Sequence, residues 1–170
     1  MAEAKKRGHA VTAVRCPQDA GTARALEKKL KPLAGRNDVL VMAAAVCDVR
    51  PAKVSPKKIK KQALLRADFV KNPDILARLA RGKKKEQVFI GFAIESENFL
   101  ENGFKKLKSK SLELLVLQKI TEKESPFGKK IVHFIVLEKG GARTDLGVIS
   151  KRHLAEFLIR EAEKLRRGAN

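Results

Sequence analysis

The sequence predicts an α/β domain with a mainly parallel sheet, and three observations lead there. Strand-like and helix-like segments alternate along most of the chain, with no internal repeat or low-complexity linker. Several strand-like segments are continuous apolar runs, as in sheets covered by helices on both faces. The length of 170 residues suits one unit, so residues 1–170 are read as a single domain.

The elements follow in order. Residues 2–7 read as the last turns of a helix, stopped at Gly8. Ala10–Val14 is a short apolar strand candidate. A chain opening in the tail of a helix suggests an element belonging before Met1. Ala23–Leu33 reads as a helix with Leu26, Leu30 and Leu33 on one face, ended by Pro32 and Gly35. Asp38–Ala45 is a buried strand. Cys47–Pro56, with two prolines and no periodicity, reads as a loop. Leu64–Val70 is a possible strand. In Asn72-Pro73-Asp74, Asn is the expected cap, Pro the first helical residue and Asp the complement to the dipole, for a helix to about Arg81. Gln87–Ile94 is a strand. Glu97–Lys110 is a helix with Phe99, Leu100, Phe104 and Leu107 inward. Leu112–Leu117 is again a strand. Ile131–Leu137 and Arg143–Ile149, joined at Gly140-Gly141, read as a hairpin. Ser150 then caps a final helix with Leu154, Phe157, Leu158 and Leu165 on one face.

Composition narrows the function classes. Lys and Arg number 38 against 19 Asp and Glu, a net charge of +19, which points to a polyanionic partner: nucleic acid, an acidic membrane or nucleotide phosphates. Trp and Tyr are absent and Phe numbers 8, which argues against single-strand binding on stacked aromatics. No apolar run reaches the ~20 residues of a membrane span. The charged start lacks the apolar stretch of a secretory signal. Cys16 and Cys47 make no disulfide framework and are expected reduced in a cytoplasm. His9, His133 and His153 lie far apart, with no CxxC or HxxxH spacing, so no metal ligands are assigned. The dinucleotide, P-loop and serine-hydrolase glycine motifs are all missing, which counts against a dinucleotide-dependent oxidoreductase.

In a parallel α/β sheet, ligands bind beyond the carboxyl ends of the strands. The segments expected there are Cys47–Lys61, Lys71–Asp74, Phe92–Asn98 and Gln118–Gly128. Lys53–Lys61 holds five lysines and no acid. It is either a solvated loop or a flap that brings ammonium groups to phosphates. Lys106 and Lys110, four apart on one helix face, either line an anion site or form a wet surface. The helix start at Pro73-Asp74-Ile75 offers amides to an anion, or is an ordinary cap. Met42-Ala43-Ala44-Ala45 ends a strand in small side chains that permit close ligand approach, or simply tight packing. Asp48 either meets a ribose hydroxyl or a metal-linked group, or balances Arg50. Phe92 is either a wall against a base or a core residue.

Singly these signals are weak, but their order is specific. Met42-Ala-Ala-Ala-Val-Cys-Asp-Val-Arg-Pro, Lys58-Ile-Lys-Lys, Lys71-Asn-Pro-Asp-Ile, Gly91-Phe-Ala-Ile-Glu-Ser-Glu-Asn, then Lys106 and Lys110, resemble bacterial phosphopantothenoylcysteine synthetase, from about Glu3 to Leu165. The resemblance implies a Rossmann-like three-layer α/β fold with a C-terminal β-hairpin, a homodimer and a place in coenzyme A biosynthesis. It implies ligation of 4′-phosphopantothenate to cysteine with CTP and Mg2+, through an acyl-cytidylate, in the cytoplasm and without membrane or nucleic acid. The competing reading is a non-catalytic basic protein that binds nucleic acid.

The resemblance also implies roles. Met42, Ala43 and Ala44 match the strand end whose backbone meets the nucleotide. Asp48 matches the Asp of the family's Ala-Asp-x-Arg segment. Lys58 matches the catalytic flap lysine, implicated in nucleotide binding and turnover of the acyl-cytidylate. Pro73, Asp74, Ile75 and Leu76 match the nucleotide-binding helix start, Phe92 the aromatic of Gly-Phe-Ala-Ala-Glu-Thr, and Lys106 and Lys110 the two nucleotide-binding helix lysines. The family's first strand and glycine-rich segment have no counterpart here, so the domain is expected to be short at its N-terminus. Cys47, Ile94 and Ser96 replace the common Ala, Ala and Thr, and Leu117-Gln118-Lys119 stands where the family has Ala-Asn-Asp. The flavin-dependent decarboxylase half is missing, so no flavin is expected.

Overall fold

The structure is a computed structural model, and it describes residues 1–55, 57, 58, 60, 67–95, 97–119 and 131–168. A five-stranded sheet runs in the order β1-β4-β5-β6-β7, from β1 (Val39–Met42), β4 (Val88–Glu95), β5 (Leu114–Lys119), β6 (Ile131–Glu138) and β7 (Arg143–Ser150). β1, β4 and β5 pair in parallel, whereas β6 is antiparallel to both β5 and β7. Only β6 therefore runs against the others, as the α/β reading with a terminal hairpin expects. β2 (Val49–Pro51) and β3 (Phe69–Lys71) form a separate antiparallel ribbon.

Each sheet face is covered because its strands are apolar on both sides. One face carries α2 (Ala23–Ala34), α3 (Ile75–Ala80) and α4 (Phe99–Ser109), packed on Leu40, Phe89, Leu115, Leu117 and Leu137. The other carries α5 (Lys151–Arg167), whose Leu154, Leu158 and Ala162 meet Val88, Ile90, Leu114, Val116, Phe134 and Val136. The short α1 (Ala2–Lys6) lies on α5, tied by Glu3–Arg152 and Arg7–Glu163 ion pairs. Two glycines let helices sit close. A Cβ on Gly103 of α4 would lie 2.6 Å from Leu117 Cδ1 and 2.8 Å from Leu137 Cδ1. One on Gly91 of β4 would lie 2.7 Å from Leu112 Cδ1.

The sequence expectations hold with five corrections here. Ala10–Val14 forms no strand, and none of the described residues pairs with it. Apolar alternation does not make a strand without a ladder to join. β1 ends at Met42, so Ala43, Ala44 and Ala45 lie beyond it, exposed. Pro32 sits inside the last turn of α2 rather than ending it, and Gly35 is the C-cap. The stretch read as a loop from Cys47 contains β2, because its partner β3 lies some twenty residues on and neither strand has a buried face to betray it. Of the expected strand Leu64–Val70, residues 64–66 lie outside the described residues. The observed strand is Phe69–Lys71.

Candidate functional site

The site is built where β1, β4, the β2–β3 ribbon and the start of α3 converge. Met42 pairs with Gly91 in the parallel ladder, so the ends of β1 and β4 are adjacent. From Met42 the chain passes through exposed Ala43 and Ala44 to exposed Asp48 and into the ribbon. Asn72 locks the base of that ribbon. Its backbone N–H donates to the Asp48 carbonyl at 2.7 Å, and its side-chain amide donates to the Cys47 carbonyl at 2.8 Å. Arg50 donates to the Lys71 carbonyl at 2.7 Å and to Asn72 Oδ1 at 3.2 Å. The guanidinium is thus engaged elsewhere, and Asp48 has no ion-pair partner among the described residues. The lysine-rich stretch lies in the chain between β2 and β3, whose base Asn72 fixes. Lys58 within it is exposed.

The helix start differs from the sequence expectation. Asp74, not Asn72, is the N-cap of α3. Its carboxylate accepts from the Ala77 N–H at 3.1 Å, and the helix begins at Ile75. An Asp at this position satisfies a free amide and favours the helix dipole. Asn72 instead brackets the ribbon, a role that no local pattern signals. Pro73 is half-buried, while Ile75 and Leu76 are core residues whose side chains face the sheet. Only their backbone can meet a ligand.

Phe92 is 38 % exposed, where β4 rises out of its buried half. Ile94 lies on the same face of β4, and Val41 of β1 lies on that face too, opposite Ile90. Both are exposed and extend an apolar surface beside Phe92. Lys106 of α4 forms an ion pair with Glu95, the last residue of β4. Glu95 Oε1 is buried and makes no aligned hydrogen bond. Lys110, the C-cap of α4, pairs with Asp74 at 3.0 Å. These two ion pairs join the end of β4, the start of α3 and the helix lysines. Glu95 is the site residue that sequence reasoning passed over, although it stands inside the quoted Gly91–Asn98 motif.

The strongly perturbed carboxylate lies elsewhere. Glu163 is held down at about 2, first by its hydrogen bond from Arg7 and then by His9. A cavity of about 300 Å³ between α2 and α3, lined by Glu27, Arg78, Lys83 and Gln87, sits at the opposite, amino-terminal end of β4. It takes up none of the candidate residues.

Comparison with known proteins settles the ancestry. Residues 2–165 match the family described as DNA/pantothenate metabolism flavoprotein C-terminal domain. The chain belongs to that family. It is 31% identical over 130 residues to the coenzyme A biosynthesis bifunctional protein CoaBC of Bacillus subtilis, covering 76% of this chain and 32% of that protein. It is 32% identical over 128 residues to a cysteine/cysteine sulfinic acid decarboxylase of an unknown prokaryotic organism, covering 73% of this chain and 35% of that protein. The chain thus spans about a third of the length of these curated relatives. Among solved structures, the C-terminal domain of a CoaBC protein superposes with a TM-score of 0.71 at 23% identity, covering 93% of this chain and 72% of that one. That likeness bears out the α/β fold.

Proposed function

We propose that the chain is the ligase domain of coenzyme A biosynthesis and joins 4′-phosphopantothenate to cysteine at the expense of CTP. The observation that supports this best is the convergence of four separated motifs. The β1 end, the base of the ribbon, the Asp74 helix start and the Lys106–Lys110 pair are tied together at the carboxyl ends of β1 and β4, by the Asn72–Asp48 hydrogen bond and the Asp74–Lys110 and Glu95–Lys106 ion pairs. Family membership supports the same reading.

In this reading a carboxylate oxygen of phosphopantothenate attacks the α-phosphorus of CTP. The bond to pyrophosphate breaks, leaving an acyl-cytidylate. The cysteine amine then attacks the acyl carbon, the bond to CMP breaks, and the amine proton leaves to solvent. Lys106, Lys110 and the Asp74 helix start hold the nucleotide, and Phe92, whose side chain lies on the opposite face of β4 with Ile90, meets it through its backbone. Lys58, on its long stem, offsets negative charge that develops at the α-phosphoryl group. No group of three His, Cys, Asp or Glu able to hold a metal occurs among the described residues. Magnesium is usually held by substrate phosphates with one or two carboxylates, and the exposed Asp48 is the residue we assign to face it or the ribose. A homodimer is part of the proposal, supported by exposed Ile131 and Val148 on the β6–β7 hairpin.

Isothermal titration with CTP and ATP, each with magnesium, tests the reading. Preferential CTP binding that Lys106→Gln and Lys110→Gln weaken is the expected result. Lys58→Gln should lower turnover more than CTP affinity. A folded chain that binds neither nucleotide overturns the assignment.

A further inference from the structure

Both helix lysines of the site already have a negatively charged neighbour. Lys106 is paired with Glu95, whose side chain is only 11% exposed, and Lys110 with Asp74. These carboxylates hold the lysines in place, and they also offset part of the charge that attracts a phosphate. Each repels an arriving anion in proportion to the charge that the anion carries. A carboxylate placed against a lysine therefore works as a built-in penalty on the wrong ligand.

From this geometry we propose that Glu95 and Asp74 set the charge selectivity of the phosphate subsite. They hold the lysine pair close to neutral, so that it accepts the divalent-cation complex of a nucleoside triphosphate over the free polyanion. The inference rests on the proposed nucleotide role of Lys106 and Lys110. Two further features suit it. Glu95 is sunk at the strand end, with Oε1 buried against Lys106. Asp74 is fixed by its cap to the Ala77 N–H. The penalty is thus carried by groups that stay in place when a ligand enters.

Two isosteric neutralisations test this without breaking the fold. Glu95→Gln keeps the shape of the side chain. Asp74→Asn keeps a capping oxygen, since Asn caps helices as well as Asp. CTP, ATP and inorganic tripolyphosphate are titrated into the full chain and each variant, once with magnesium in excess and once with EDTA. The unsubstituted chain should favour the magnesium complexes. Each variant should tighten the free polyanions by about three- to tenfold and the magnesium complexes by less, so the ratio narrows. Labelling of Lys106 and Lys110 by an acylating reagent, read by mass spectrometry, should rise in the matching variant whatever binds. Variants that leave the ratio unchanged, or that weaken both ligand forms, overturn the inference. If tripolyphosphate shows the expected pattern while CTP gains nothing over ATP, the cytidine reading falls and this inference stands. If no chain binds any polyphosphate, both fall.

Discussion

Replacing Gly91 by alanine tests whether the parallel ladder and the candidate site share one packing constraint. Gly91 stands in β4 opposite Met42 on one side and Leu115 on the other. A Cβ there would meet Leu112 Cδ1 at 2.7 Å, Leu76 Cδ2 at 3.1 Å and Leu115 Cδ1 at 3.2 Å. The first distance is shorter than real contacts allow. The three leucines are themselves buried, with exposures of 0%, 7% and 2%, so they cannot retreat into solvent. Overpacking of this kind costs about 1–3 kcal/mol. Loss of glycine's freedom in the unfolded chain returns about 0.4–1 kcal/mol. The net expectation is a destabilisation of about 1–2 kcal/mol, read as a lower urea midpoint with an unchanged slope. Because Leu76 lies in the first turn of α3, the adjustment should also disturb Asp74 and its pair with Lys110. Gly140→Ala is the control, since nothing lies within 4 Å of a Cβ built there. A Gly91→Ala midpoint equal to or above the parent's would refute the packing argument.

Three other outcomes follow from the structure. Glu113 pairs with Lys83, whose side chain is 10% exposed, and accepts from the Phe89 N–H at 2.9 Å. Glu113→Gln should therefore cost about 2–4 kcal/mol in urea unfolding, by leaving a mostly buried ammonium without its counter-charge. Asn72→Ala should cost about 1–2 kcal/mol and selectively raise amide exchange across Val49–Pro51 and Phe69–Lys71, the strands that its side chain brackets. Glu163 titrates at about 2 when folded against an ordinary 4.5. A depressed carboxyl stabilises the fold above its unfolded value, so this contribution is complete above about 4.5 and is lost as pH falls toward about 2. An NMR titration of the Glu163 carboxyl should show the low midpoint, and Glu163→Gln should remove that part of the acid sensitivity.

The main sheet was legible because its signals are local. Val88–Ile90 and Leu114–Leu117 are buried on both faces, and such strands show as unbroken apolar runs. The amphipathic faces of α2, α4 and α5 are read from the spacing of their leucines and phenylalanines. The β2–β3 ribbon was not legible. Both strands are exposed, so no periodicity marks them, and what holds them is a set of hydrogen bonds from Asn72 and Arg50 across some twenty residues. For the same reason the cap was assigned to Asn72. Asn and Asp are equally good caps in isolation, and only the ribbon, which claims the Asn72 side chain, leaves the position to Asp74. The helix lysines were found in the sequence, but their counter-ions were not. Glu95 comes to Lys106 only through the return of α4 along β4.

These differences bear on how the site uses its charge. The surplus of +19 gives the chain a general attraction for anions, but long-range attraction does not choose among them. Choice needs short-range geometry, and the structure supplies it unevenly. Lys106 and Lys110 are anchored by carboxylates on two different elements, so their positions are set before a ligand arrives. Lys58 is exposed, on the connection of a ribbon whose base Asn72 fixes. A preset pair suits recognition, because little freedom is lost when a phosphate binds it. An exposed lysine without such an anchor among the described residues suits charge that appears only as bonds change, because its long stem can follow the reacting group. Binding and turnover should therefore respond to different lysines, a separation that a uniformly basic surface would not produce.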